Sequence, residues 1–116
     1  MTIERIECNK RLSEAVLHGD TVYLCGQVAD DVKADIRQQT REVLANIDKM
    51  LARAGTGKER LLTATVYLKS IEDYRAMNEI WDAWTAAGAA PARTCVGGVA
   101  LFSPDALVEI TVSAAR

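Results

Sequence analysis

From Val32 to Ala54 apolar side chains recur at steps of three, four and seven: Ile36, Val43, Leu44, Ile47, Met50 and Leu51. On a helix these positions form one stripe, and Lys33, Arg37, Gln38, Arg41, Glu42 and Lys49 fall on the opposite face. Such a helix cannot satisfy its apolar stripe alone; it has to lie on a second layer. Asp30-Asp31 can cap its start and Gly55 its end. The layer it lies on has to come from the short β-branched runs elsewhere in the chain.

Those runs are easily placed. Ala15–Leu17 and Thr21–Leu24 flank His18-Gly19-Asp20, a hairpin turn in which Gly supplies the positive φ. Leu61–Leu68 reads as a strand. Ser70-Ile71-Glu72-Asp73 resembles a capping box and opens a second helix reaching about Ala87. Tyr74, Met77, Trp81 and Trp84 share one face of it, and Gly88 and Pro91 stop it. Ala92–Leu101 reads as a strand weakened by Gly97-Gly98, a sign of a bulge or close backbone approach. Leu107–Ala114 is the last strand. The order is ββαβαββ, with a further strand possible at Ile3–Glu7. The expected fold is α+β: one domain over residues 1–116, a mixed sheet with both helices on one face. The other face would be bare, and another subunit is its natural cover.

Composition narrows the function. Fourteen Lys and Arg against sixteen Asp and Glu leave a net charge of −2. A nucleic-acid binder would show a basic surplus or stripe. No apolar run approaches the ~18 residues that span a bilayer, so no membrane partner is expected. The first residues, Met1 to Glu7, mix acids and a base and do not read as a secretory signal. Cys8, Cys25 and Cys95 form neither a CxxC motif nor a disulfide framework, and His18 is the single histidine. A cytoplasmic protein with reduced thiols and no metal site is expected. There is no phosphate loop, nucleophile elbow or metalloprotease motif, so no cofactor is expected.

Two charges interrupt strands. Arg93 lies in Pro91-Ala92-Arg93-Thr94-Cys95-Val96, and Glu109 in Leu107-Val108-Glu109-Ile110-Thr111-Val112. Alternation puts Arg93 with Cys95, opposite Thr94 and Val96, and Glu109 with Thr111, opposite Val108 and Ile110. In one reading the two charges pair with each other or face solvent, the commoner fate of such residues. In the other, Arg93 grips a substrate carboxylate through its planar fork, and Glu109 positions or deprotonates a water. Cys95 and Cys25 read more readily as inert thiols than as nucleophiles: the only histidine sits in the first hairpin, and nothing indicates activation. Cys25, beside Gly26, could still line a pocket. Trp81 and Trp84 read as packing residues, and Asn78 could cap a loop or meet a neighbouring subunit.

At these residues the chain resembles the Rid family (YjgF/RidA, reactive intermediate or imine deaminases). The resemblance is carried by Thr21-Val22-Tyr23-Leu24-Cys25-Gly26-Gln27, Leu62–Leu68, Tyr74–Asn78, Pro91–Val96 and Leu107–Ile110, in order, from about Leu12 to Ala115. Asn78–Trp84 with Ala87–Pro91 is similar to the YoaB-like branch. The resemblance implies a chorismate-mutase-like fold and a homotrimer with three clefts between subunits. It implies that Arg93 binds the carboxylate of a 2-imino acid, and that Glu109 and groups near Cys95 position water. Thr94, Cys25, Gly26 and Asn78 would line the substrate site, with a 2-oxo acid and ammonia as products and no cofactor. The chain departs from many deaminating members: Lys10-Arg11-Leu12 has no aromatic, Cys25 replaces a serine, and Gly97-Gly98 replace bulkier residues.

Overall fold

The computed structural model describes all 116 residues. Seven strands form one sheet: β1 (Ile3–Ile6), β2 (Ala15–His18), β3 (Thr21–Leu24), β4 (Gln27–Val28), β5 (Leu61–Leu68), β6 (Ala92–Val96) and β7 (Val108–Ala115). Two helices, α1 (Ile36–Arg53) and α2 (Tyr74–Trp84), pack on one face of it. The spatial order is β1-β2-β3-β7-β5-β6, with β4 also paired to β7. All pairings are antiparallel except β5 with β6, so the sheet is mixed, as expected from the sequence. No helix is long and apolar enough to cross a membrane.

Alternation on β7 sets the two faces. Val108, Ile110, Val112 and Ala114 are buried under the helices, between Val22 and Leu24 of β3 and Ala64, Val66 and Leu68 of β5. From α1, Val43, Leu44, Ile47 and Leu51 complete this core, and Met77 and Trp81 join it from α2. The opposite face of the sheet carries no helix. Tyr23 stands 51% exposed there, with Glu109, Thr111 and Ser113 partly so.

The element bounds correct the sequence reading in four places. Helix α1 starts at Ile36, capped by Asp35, whose carboxylate accepts from the Gln38 N–H at 2.9 Å, and not by Asp30-Asp31. Ser70 caps a single 3₁₀ turn over Ile71–Asp73, and α2 begins only at Tyr74 and ends at Trp84. Strand β6 ends at Val96, where Gly97 and Gly98 turn the chain away. The two-residue strand β4 was not anticipated; it is too short for any periodic signal.

Gln39 falls in the stripe of α1, one turn after Ile36, and is fully buried. Its Nε2 donates to the carbonyls of Val32, Ala34 and Asp105 at 2.9–3.1 Å, and its Oε1 accepts from the Leu107 N–H at 2.9 Å. One side chain thus joins the start of α1 to the loop that launches β7. Replacing it with Leu takes the partner from those part-buried backbone groups, at up to about 1–3 kcal/mol for each. Gln39→Leu is expected to lower unfolding stability by about 3 kcal/mol or more, read as a fall in the urea midpoint.

Candidate functional site

The residues singled out from the sequence collect in two places, on opposite faces of the sheet. The first is built on β7 and the β3–β4 junction. Register pairs Tyr23 with Ser113 and Gln27 with Ile110. Four steps on one side thus oppose three on the other, so Cys25-Gly26 forms a β-bulge, a device that re-aims side chains beside functional sites. The Thr111 hydroxyl donates to the Leu24 carbonyl at 3.0 Å and holds the bulge against β7. A Cβ on Gly26 would lie 3.0 Å from Cδ of Glu109 and closer still to its Oε2, so only glycine leaves the carboxylate its place. Gly26, Glu109, Thr111 and Tyr67 line an open cavity of about 390 Å³ with Val99, Ala100, Leu101 and Phe102.

Cys25, one residue before Gly26, is not among the residues that line this cavity. Its thiol donates to Glu14 Oε2 at 3.2 Å, and Gln27 Nε2 reaches Glu14 Oε2 at 3.4 Å and the Cys25 carbonyl at 3.2 Å. Burial, then the hydrogen bond to Glu14, then the charges of Glu14 and Glu109 push the thiol up to about 11. A group held this neutral is not a nucleophile near pH 7. Glu14 and Gln27 were not singled out from the sequence; nothing local marks a Glu before a strand as a partner for a thiol eleven residues on.

The second place is built on β6 and α2. Register sets Arg93 beside Ala64 and Cys95 beside Val66, and Ala64 and Val66 are buried on the helix-covered face. The guanidinium carbon of Arg93 lies 5.1 Å from the Trp81 ring centre and 6.0 Å from that of Tyr74, with Nη1 3.9 Å from Met77 Sδ. Stacking of this kind holds the planar fork in place. Arg93 is half-buried and enters none of the three ion pairs, which are Lys33–Asp105, Arg37–Glu79 and Arg53–Glu7. On the same helix, Asn78 follows Tyr74 and precedes Trp81 by about one turn, and its Oδ1 is buried with no hydrogen-bond partner. Buried carbonyl oxygens are rarely left so. Burial raises the Cys95 thiol above its usual range, with Arg93 opposing, so Cys95 is not an activated nucleophile. Thr94 faces the other way, in register with Thr65, on the face of Glu109.

Arg93 and Glu109 therefore do not pair: they occupy opposite faces with β5 between their strands. The endoribonuclease L-PSP (Ribonuc_L-PSP) family model matches residues 2–116. The chain belongs to this family. Among relatives of the L-PSP family, the RutC family protein YoaB of Escherichia coli is 43% identical over 115 residues, covering 99% of each chain. A member of the YjgF protein family from Neisseria meningitidis superposes with a TM-score of 0.95 at 40% identity, over 100% of this chain and 96% of that one. A Rid family protein from Yersinia pestis superposes with a TM-score of 0.91 at 31% identity, over 99% and 100%.

The thiol geometry gives a direct test. Alkylation by iodoacetamide, mapped by mass spectrometry, is expected to label exposed Cys8 readily at pH 8, while Cys25 reacts only as the pH climbs toward about 11. Glu14→Gln removes an acceptor charge, so a larger fraction of Cys25 ionises at a given pH. Its alkylation rate at pH 8.5 is expected to rise by about three- to tenfold.

Proposed function

We propose that the protein hydrolyses reactive 2-imino acids and their enamines to 2-oxo acids and ammonia, in a site shared between two copies of the chain. The observation that carries this reading is Arg93: a half-buried, stacked guanidinium with no anion in its own chain. A cation in such a place calls for an anionic partner. Its planar fork suits a small carboxylate. Glu109 sits beside an open cavity, on the face that no helix covers. One small molecule meets both groups only where β6 and α2 of one copy abut the open face of another. The unpartnered Asn78 Oδ1 fits the same seam. The family resemblance points to a homotrimer with three such seams.

The chemistry asks little of the chain. A protonated 2-imino acid is already electrophilic, so catalysis needs orientation and a place for one proton. Arg93 holds the carboxylate. Glu109 takes a proton from water as oxygen bonds to the C=N carbon and the π pair moves to nitrogen. Collapse of the carbinolamine releases ammonia, with Glu109 returning the proton; iminium acid and water become 2-oxo acid and ammonium. Cys95 and Thr94 contribute backbone beside Arg93, and Cys25 and Gly26 shape the wall that faces Glu109. A phosphodiester polymer would need several cations, whereas Arg93 is the one cation among these residues.

A coupled assay in which a dehydratase or an amino acid oxidase supplies fresh imine tests the reading. Glu109→Gln is expected to lower kcat by about 10²–10⁴-fold. Arg93→Ala is expected to lower kcat/KM by about 10–100-fold, and Arg93→Lys not to restore it, because lysine offers a point charge and no fork. Carboxylate binding without turnover in the wild type would replace the enzyme reading with a non-catalytic binding trimer.

The shared site has its own test. Arg93→Ala and Glu109→Ala chains, each strongly impaired alone, are co-refolded. Random assembly into a ring gives about a quarter of the seams both intact groups, so about that share of activity returns. No recovery would place both groups in one chain's site and overturn the seam.

A further inference from the structure

The cavity beside Glu109 is asymmetric in chemistry. Its polar wall is Glu109 and Thr111; its other wall is Val99, Ala100, Leu101 and Phe102, with Tyr67 between. That apolar segment is placed by the glycine pair after β6. Gly98 takes φ +74°, open to glycine at little cost. A Cβ on Gly97 would come 2.7 Å from Cβ of Ile71, so no side chain fits there. The chain leaves the sheet at this point. The Val99 N–H then donates to the Leu68 carbonyl at 3.1 Å, fixing the segment across the end of β5. Phe102 ends up 67% exposed at the cavity rim, the most exposed large apolar residue after Met1.

We infer that this shelf, Val99 to Phe102, receives the substrate's side chain and selects 2-imino acids with branched or aromatic apolar side chains over small ones. The inference rests on the reading above and specifies its substrate. The reacting carbon has to lie near Glu109, and the side chain leaves that carbon directly. Within the cavity the apolar side chains it can reach are those of the shelf and the ring of Tyr67 beside it. A volume of about 390 Å³ exceeds what a methyl group fills, and lies within the range of sites for small organic ligands, about 300–1,000 Å³. Acidic side chains are selected against, because a second carboxylate would approach Glu109 in a partly dehydrated place.

Amino acid oxidase generates the imines of leucine, phenylalanine, alanine and glutamate in place, and semicarbazide trapping follows their decay with and without the protein. The leucine- and phenylalanine-derived imines are expected to show kcat/KM about tenfold or more above the alanine-derived one, the discrimination an apolar pocket gives for a few carbons. Phe102→Ala and Leu101→Ala are each expected to pull that ratio toward one. Equal or faster turnover of the alanine-derived imine in the wild type, or a ratio indifferent to both substitutions, overturns the inference. Calorimetry with the product acids decides it without turnover: 4-methyl-2-oxopentanoate is expected to bind about tenfold more tightly than pyruvate. Should no imine be hydrolysed while that preference persists, the deaminase reading falls and the shelf stands. Equal affinity for the two acids removes the shelf whatever the reaction.

Discussion

Strand β7 is paired along both edges, to β3 and β4 on one side and β5 on the other. Everything else follows from the alternation it enforces. Its even-numbered residues, Val108 to Ala114, are sealed under the helices, and Glu109 cannot follow them without losing its hydration. The carboxylate is therefore committed to the uncovered face. The bulge at Cys25-Gly26 then opens the neighbouring strand at the level of that carboxylate, where no side chain could otherwise leave it room.

The second commitment is made by the parallel pairing of β5 and β6. A parallel neighbour keeps Arg93 level with Ala64, on the helix side, where Tyr74, Met77 and Trp81 receive it. These contacts orient the guanidinium but leave its donors without an anion. The chain thus carries an anion on one face and a cation on the other, placed so that the two do not neutralise each other within the chain. Two different patches that fit each other are the simple way to bring such groups together between copies, a heterologous contact that forms a ring where its rotation closes.

Much of this was legible from residue order. The apolar stripe of α1, the β-branched runs and the turn at His18-Gly19-Asp20 gave the layers, and alternation assigned Arg93 and Glu109 to strand faces. What was not legible depended on long-range register. No local pattern says that Arg93 and Glu109 end on different sides, since that needs the direction of β6 relative to β5. Gln39 interrupts an apolar stripe, and its part in the core emerges only when the carbonyls of Val32, Ala34 and Asp105 are brought around it. The Asp35 cap lost out to Asp30-Asp31 because both offer the same chemistry, and only the packing of α1 on the sheet chooses between them. Glu14 and Phe102 gained their places through a bulge and a glycine turn, features set by backbone conformation rather than by composition.

The brevity of β6 has a bearing on how the molecule behaves in a crowded solution. It is the outermost strand on its side, and five residues long. Pro91 precedes it, and two glycines end it. An outer strand this truncated offers a stray extended peptide only a few free amide groups, too short a template for runaway fibrous growth. The same turn that shapes a wall beside Glu109 therefore also keeps this edge of the sheet short.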